Sequence, residues 1–225
     1  MEFVGSHILS VDQFDRVDIE KIFAVADDME PYAHRTRITR VLQGAILSNM
    51  FFESSTRTRV SFGCAFNLLG GEVRETTEIK SSAIAKGESL HDMARVLSGY
   101  SDVIVMRHPT AGSVKEFAEA SRVPVINGGD GSNEHPTQAL LDLYTIRKEL
   151  AERGDDIDGL RIAVVGDLRY GRAVHSLLKL LALFDNVTVN LVSPPDLTAP
   201  QDSVSNLENK GHCVETFDNL EDGVN

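Results

Sequence analysis

The chain has 225 residues, enough for one large domain or two smaller ones, and its 42% hydrophobic and 25% charged composition describes a folding chain, not a disordered one. A formal net charge of -12 excludes nucleic acid and anionic membrane as partners, because both are bound through broad positive fields. Any anion site must therefore be local. The two cysteines, Cys64 and Cys213, form neither a C-x-x-C nor a Cys/His metal cluster, which points to a reducing compartment.

The amino-terminal "MEFVGSHILSVDQ" lacks a basic region followed by a long apolar stretch, and no apolar run approaches the ~20 residues that cross a bilayer. A cytoplasmic protein is expected. Short apolar runs then alternate with helical patterns, the rhythm of βα units around a largely parallel sheet. "GAILSNMFF" is the first expected strand, and Phe62, Ala65, Phe66 and Leu69 follow at the spacing of one helix face. The same spacing recurs at Leu90, Met93, Ala94 and Leu97 and at Val174, Leu177, Leu178 and Leu181; all three stripes are read as core. "DVIVM", "VPVIN", "RIAVVG" and "VTVNLVS" are the further strands, and a long helix starts near Pro136. That helix runs out in "ELAERGDDIDGL", residues 149–160, which sets a domain boundary near residue 150. The expected class is α/β, with two doubly wound parallel-sheet domains, 1–150 and 151–225, the second incomplete.

Three strand-to-helix turns carry the polar chemistry. "ESSTRT" follows the first strand, where ligands sit in open α/β sheets beside the N–H groups and positive dipole of a helix start. Ser55, Thr56 and Thr58 can donate hydroxyl hydrogen bonds there and Arg57 offers a planar fork, a combination suited to phosphate. The plainer alternative is that Ser55 or Thr56 caps the helix while Arg57 and Arg59 are solvated. Arg107 follows "DVIVM" at the same kind of sheet edge and, taken alone, reads as a surface cation. In "GGDGSNEHPTQ", Pro136 starts the helix, which puts His135 and Gln138 at its amino terminus, able to hold a carbonyl and an NH₂ group. Alternatively His135 caps the helix, and Asp130 and Asn133 form the turn.

Together these turns resemble the aspartate and ornithine carbamoyltransferases: "STRTR" at 55–59 and "HPTQ" at 135–138 are similar to the family's two carbamoyl phosphate signatures. "KGES" at 86–89 and "GDLRYGRAVHS" at 166–176 extend the resemblance over nearly the whole chain. "FFESSTRTR" with Glu53, and Tyr170 with Arg172, are closer to the aspartate enzyme, the ornithine enzyme being the alternative.

The resemblance implies carbamoyl transfer from carbamoyl phosphate to L-aspartate, a step of pyrimidine biosynthesis, with no metal, organic cofactor or covalent intermediate. It implies that Ser55, Thr56, Arg57 and Thr58 hold the phosphate, that Arg107, His135 and Thr58 hold the carbonyl oxygen, and that Gln138 orients the NH₂. Lys86 and Arg172 are the implied aspartate ligands, although Arg172 alone reads as a surface cation at a helix start and Lys86 as a loop lysine. Ser82 and Lys86 resemble the loop that a neighbouring subunit inserts into the site, which implies a homotrimer, and a regulatory subunit is a further implied partner. Ala85 departs from members that carry a second lysine there. The family continues past "DNLEDGVN" through further aspartate-binding residues, so a carbamoyl phosphate-binding or assembly role without turnover is a second reading. A nucleotide-binding Rossmann turn at "VVGDLRYGR" is a third, weakened because Gly166 and Gly171 lack the third glycine of G-x-G-x-x-G.

Overall fold

A computed structural model describes residues 1–77 and 87–224. The first sheet comprises β1 (Ile46–Phe51), β2 (Glu72–Thr76), β3 (Val103–His108) and β4 (Val125–Asp130), all parallel, in the order β2-β1-β3-β4. The order reverses between β1 and β3. In doubly wound sheets that reversal opens a crevice at the carboxyl ends of the strands, and here those ends carry Glu53 and Arg107.

The second sheet comprises β5 (Arg161–Val165), β6 (Thr188–Val192) and β7 (Cys213–Phe217), parallel and in chain order. It winds in one direction only, and among the described residues β5 pairs with β6 alone. The five expected strands are β1, β3, β4, β5 and β6. The two unforeseen ones, β2 and β7, are the edge strands "EVRET" and "CVETF", where charges face water and no apolar run forms.

The helices are α1 (Arg16–Ala33), α2 (Thr56–Leu68), α3 (Leu90–Leu97), α4 (Ser113–Ala120), α5 (Pro136–Ala151), α6 (Arg172–Leu181), α7 (Gln201–Asn209) and the single turn α8 (Leu220–Gly223). Asp15 caps α1 by accepting from Asp18 N–H, which satisfies one of the first-turn donors. Pro136 starts α5, where its missing N–H would have had no intrahelical partner. On one face of the first sheet α3 and α4 bury Met93, Ala94, Val114 and Phe117 against Ile104, Met106 and Val125. On the other, Phe62 and Phe66 of α2 pack on Leu47, Phe51 and Val105. Ala65 is exposed and lines an open cleft, so the α2 stripe is core only in its two phenylalanines.

Ile19 and Phe23 of α1 and Ala139 and Leu143 of α5 share one apolar cluster with α6, β5 and β6. The core beside the second sheet is therefore completed by α1 and α5, two helices that come before β5 in the chain. Phe23 is only 1% exposed, and truncating it to Ala would cost about 3 to 5 kcal/mol. No described helix is long and apolar enough to cross a membrane.

Candidate active site

An open cleft of about 1060 Å³ is lined by the 54–58 turn, Arg107, His135, Gln138 and Arg172. The structure thus brings Ser55, Thr56, Arg57, Thr58, Arg107, His135, Gln138 and Arg172 to one cleft. Ser82 and Lys86 lie outside the described residues.

Ser55 is the N-cap of α2, in extended conformation with φ -158°, and its side chain makes no capping bond. The capping reading of that hydroxyl is therefore wrong, and the first-turn N–H groups have no side-chain acceptor from Ser55. Arg57 is exposed into the cleft. Arg59 is partly exposed and turns toward β2, where its Nη1 donates to Glu75 Oε2 at 2.8 Å. Of the two arginines in "STRTR", one is a ligand candidate and the other holds an edge strand.

Arg107 and Arg172 are not surface cations: their side chains are 11% and 15% exposed. Both reach Glu53. Arg107 Nη2 lies 2.5 Å and Arg172 Nη2 2.6 Å from Glu53 Oε1, while Arg172 Nη1 lies 3.1 Å from Oε2. Burial pushes the Glu53 carboxyl up, but hydrogen bonds from Arg172 and Arg107 outweigh it and hold the group below the ordinary carboxylate range. Burial lowers the Arg107 pKa and the Arg172 charge adds to that, against the opposing pull of Glu53. In the sequence Glu53 is only a mark of the resemblance to the aspartate enzyme; an acid beside a cationic turn at the end of a buried strand is the signal that it pairs with arginine.

The two guanidinium groups pass over backbone that lacks a side chain. A Cβ placed on Gly129 would lie 3.2 Å from Arg172 Cζ and 3.3 Å from Arg107 Nη1, and its φ of +113° itself favours glycine. Arg172 Nη1 also donates to the carbonyl of Gly131.

His135 is the N-cap of α5, yet its side chain makes no capping bond, so it does not cap the helix as the plainer reading held. It is 6% exposed, and burial, reinforced by the charges of Arg107 and Arg172, lowers its pKa from 6.5 to about 4. The imidazole is neutral at pH 7. Among the described residues neither its Nδ1 nor Arg107 Nε has a hydrogen-bond partner. Gln138 donates from Nε2 to Asp142 Oδ1 at 2.8 Å, leaving its amide oxygen as the group able to accept from an NH₂. Asp130 does form the turn: it accepts from Gly112 N–H at 2.8 Å and from Asn133 Nδ2 at 3.1 Å. Among the described residues no group of three His, Cys, Asp or Glu side chains could hold a metal ion.

Residues 6–148 match the family described as aspartate/ornithine carbamoyltransferase, carbamoyl-P binding domain. The chain is 70% identical over 224 residues to an aspartate carbamoyltransferase catalytic subunit of Saccharophagus degradans, covering 100% of this chain and 66% of that protein. It is 70% identical over 220 residues to the Cellvibrio japonicus subunit, covering 98% and 65%. The chain thus spans just under two thirds of the length of these curated relatives. The catalytic subunit of M. jannaschii aspartate transcarbamoylase superimposes with a TM-score of 0.89 at 48% identity, over 96% of this chain and 70% of that one. Aspartate transcarbamoylase from Trypanosoma cruzi in complex with carbamoyl phosphate and aspartate gives 0.86 at 42% identity, over 94% and 66%.

Proposed function

Because the chain belongs to the aspartate/ornithine carbamoyltransferase family, we propose that its cleft binds carbamoyl phosphate and transfers the carbamoyl group to the amine of L-aspartate. The products are N-carbamoyl-L-aspartate and phosphate. The observation that carries this reading is the convergence of the 54–58 turn, Arg107, His135, Gln138 and Arg172 in one cleft.

Ser55, Thr56, Arg57 and Thr58 bind the phosphate, aided by the positive end of α2. Arg107, His135 and Thr58 meet the carbonyl oxygen, and Gln138 accepts from the NH₂. The amine of aspartate attacks the carbonyl carbon; the C–N bond forms, the C–O bond to phosphate breaks, and the amine's proton leaves with the phosphate. Negative charge grows on the carbonyl oxygen in the transition state, where a fixed donor is worth about 10² to 10³ in turnover. A neutral His135 suits that task, since its N–H polarises the oxygen without surrendering a proton. Arg172 receives one carboxylate of aspartate.

Glu53 balances both arginines before substrate arrives. An incoming aspartate carboxylate competes with it for the Arg172 fork, so binding is coupled to rearrangement of that pair.

Lys86 and Ser82 complete the site of a neighbouring copy in a cytoplasmic homotrimer. Lys86→Ala and Arg57→Ala subunits, each inactive alone, regain part of their activity when mixed and reassembled, because some interfaces join two unmutated halves. No gain on mixing overturns the shared site. The reaction itself is tested by assaying this chain beside one extended to the relatives' length. Both bind carbamoyl phosphate, the extended chain forms carbamoyl aspartate and no citrulline, and failure of either to bind carbamoyl phosphate overturns the reading.

A further inference from the structure

Glu134 is a carboxylate with a side chain only 5% exposed, directly before His135. Its Oε1 accepts from Lys179 Nζ at 2.6 Å and its Oε2 from Ser176 Oγ at 2.7 Å. Ser176 Oγ, fully buried, in turn accepts from the His135 backbone N–H at 3.1 Å. Ser10 Oγ lies 3.0 Å from Glu134 Oε1 and 3.2 Å from Asp12 Oδ2, one proton for two acceptors. Lys179 resolves that competition by also donating to Asp12 Oδ2 at 2.7 Å. A carboxylate this buried is tolerated only with such a full set of partners.

These contacts tie together three segments distant in sequence: the amino-terminal turn at Ser10, the β4–α5 connection at Glu134, and α6. Arg172, Ser176 and Lys179 recur at the spacing of a single helix face. The face whose first residue reaches Glu53 and Gly131 therefore also grips the peptide that carries His135. The His135 ring itself has no hydrogen bond from a capping role, so its position depends on where its backbone is held.

We propose that Glu134 is a positioning residue for His135, acting through Ser176 and Lys179. It fixes the imidazole against the carbonyl part of the ligand without touching the ligand itself. This inference rests on the carbamoyl phosphate reading of the cleft, and it separates the two ends of that ligand. The phosphate end depends on the 55–58 turn of α2, remote from the Glu134 cluster in the sheet order, whereas the carbonyl end depends on His135.

The test compares two probes by calorimetry: inorganic phosphate, and phosphonoacetamide, which adds a carbonyl and an NH₂. The unaltered chain prefers phosphonoacetamide; absence of that preference overturns the reading of the cleft, independently of Glu134. Glu134→Ala should leave phosphate affinity within about twofold and reduce phosphonoacetamide affinity about tenfold, the scale of one lost buried hydrogen bond. Glu134→Gln, which keeps an acceptor for Ser176, should restore most of the preference. Ser176→Ala removes the link with little loss of volume and should act in the same direction, which keeps the test available if Glu134→Ala does not fold. Equal loss of both ligands, or retention of the preference in both Ser176→Ala and a folded Glu134→Ala, overturns the positioning role.

Discussion

Glu53 and Arg172 are 119 residues apart in the chain and meet as a bidentate pair, with Nη2 to Oε1 at 2.6 Å and Nη1 to Oε2 at 3.1 Å. Arg107 shares the same Oε1 at 2.5 Å. One carboxylate thus joins the end of β1, the end of β3 and the start of α6.

Removing that carboxylate leaves two largely buried cations facing each other. Glu53→Ala should lower stability by about 1 to 3 kcal/mol, the cost of stranding charged donors, read from urea unfolding. The same change frees positive potential in the cleft and should tighten inorganic phosphate binding. A variant that binds phosphate more weakly would show that Glu53 orients the arginines more than it neutralises them.

Arg57 offers the opposite combination. It is exposed in the cleft, so Arg57→Ala should change stability by no more than about 0.5 kcal/mol. Carbamoyl phosphate binding should be lost to calorimetric detection, because the proposed phosphate partner is gone. Unchanged binding would remove Arg57 from the phosphate site.

The depressed pKa of His135, about 4 against 6.5, makes a stability prediction with a definite sign. Between those values the unfolded chain binds a proton that the folded chain does not, so stability falls as pH drops from about 6.5 to 4, by roughly 3 kcal/mol in total. Above pH 6.5 the contribution is fully present, and below 4 both states are protonated and the slope vanishes. Burial lowers His7 and His108 as well, so the contribution is read as a difference. His135→Gln should flatten the pH 4 to 6.5 slope of urea-unfolding free energy; an unchanged slope would mean that the imidazole is protonated in the folded protein.

Among the described residues one side of β5 pairs with no strand, and Val165 of β5 is 54% exposed. Such an edge templates pairing with another chain. Val165→Lys should reduce concentration-dependent association in sedimentation velocity without altering the first sheet. Equal association in both proteins would assign self-association to another surface.

The apolar runs of β1, β3, β4, β5 and β6 were legible because strands buried in a parallel sheet need continuous hydrophobic sequence. The turns bearing Ser55 to Thr58 and His135 to Gln138 were legible for a related reason: each is a local cluster whose neighbours in sequence are its neighbours in space. Strands β2 and β7 were not, because an edge strand alternates charge with apolar residues and resembles a loop. The burial of Arg107 and Arg172 was invisible for a different cause. Whether a cation is solvated or enclosed depends on the counter-charge the fold brings to it, and Glu53 reaches both only after the sheet order reverses between β1 and β3. Glu134, Ser176 and Lys179 belong to the same class, since a carboxylate next to His135 acquires its meaning from a helix more than forty positions later. Composition and local pattern, then, determined the α/β class and the polar turns at 55–58 and 135–138 by themselves. Tertiary structure decided which charges are paired, because pairing depends on distance in space, and that distance is set by packing.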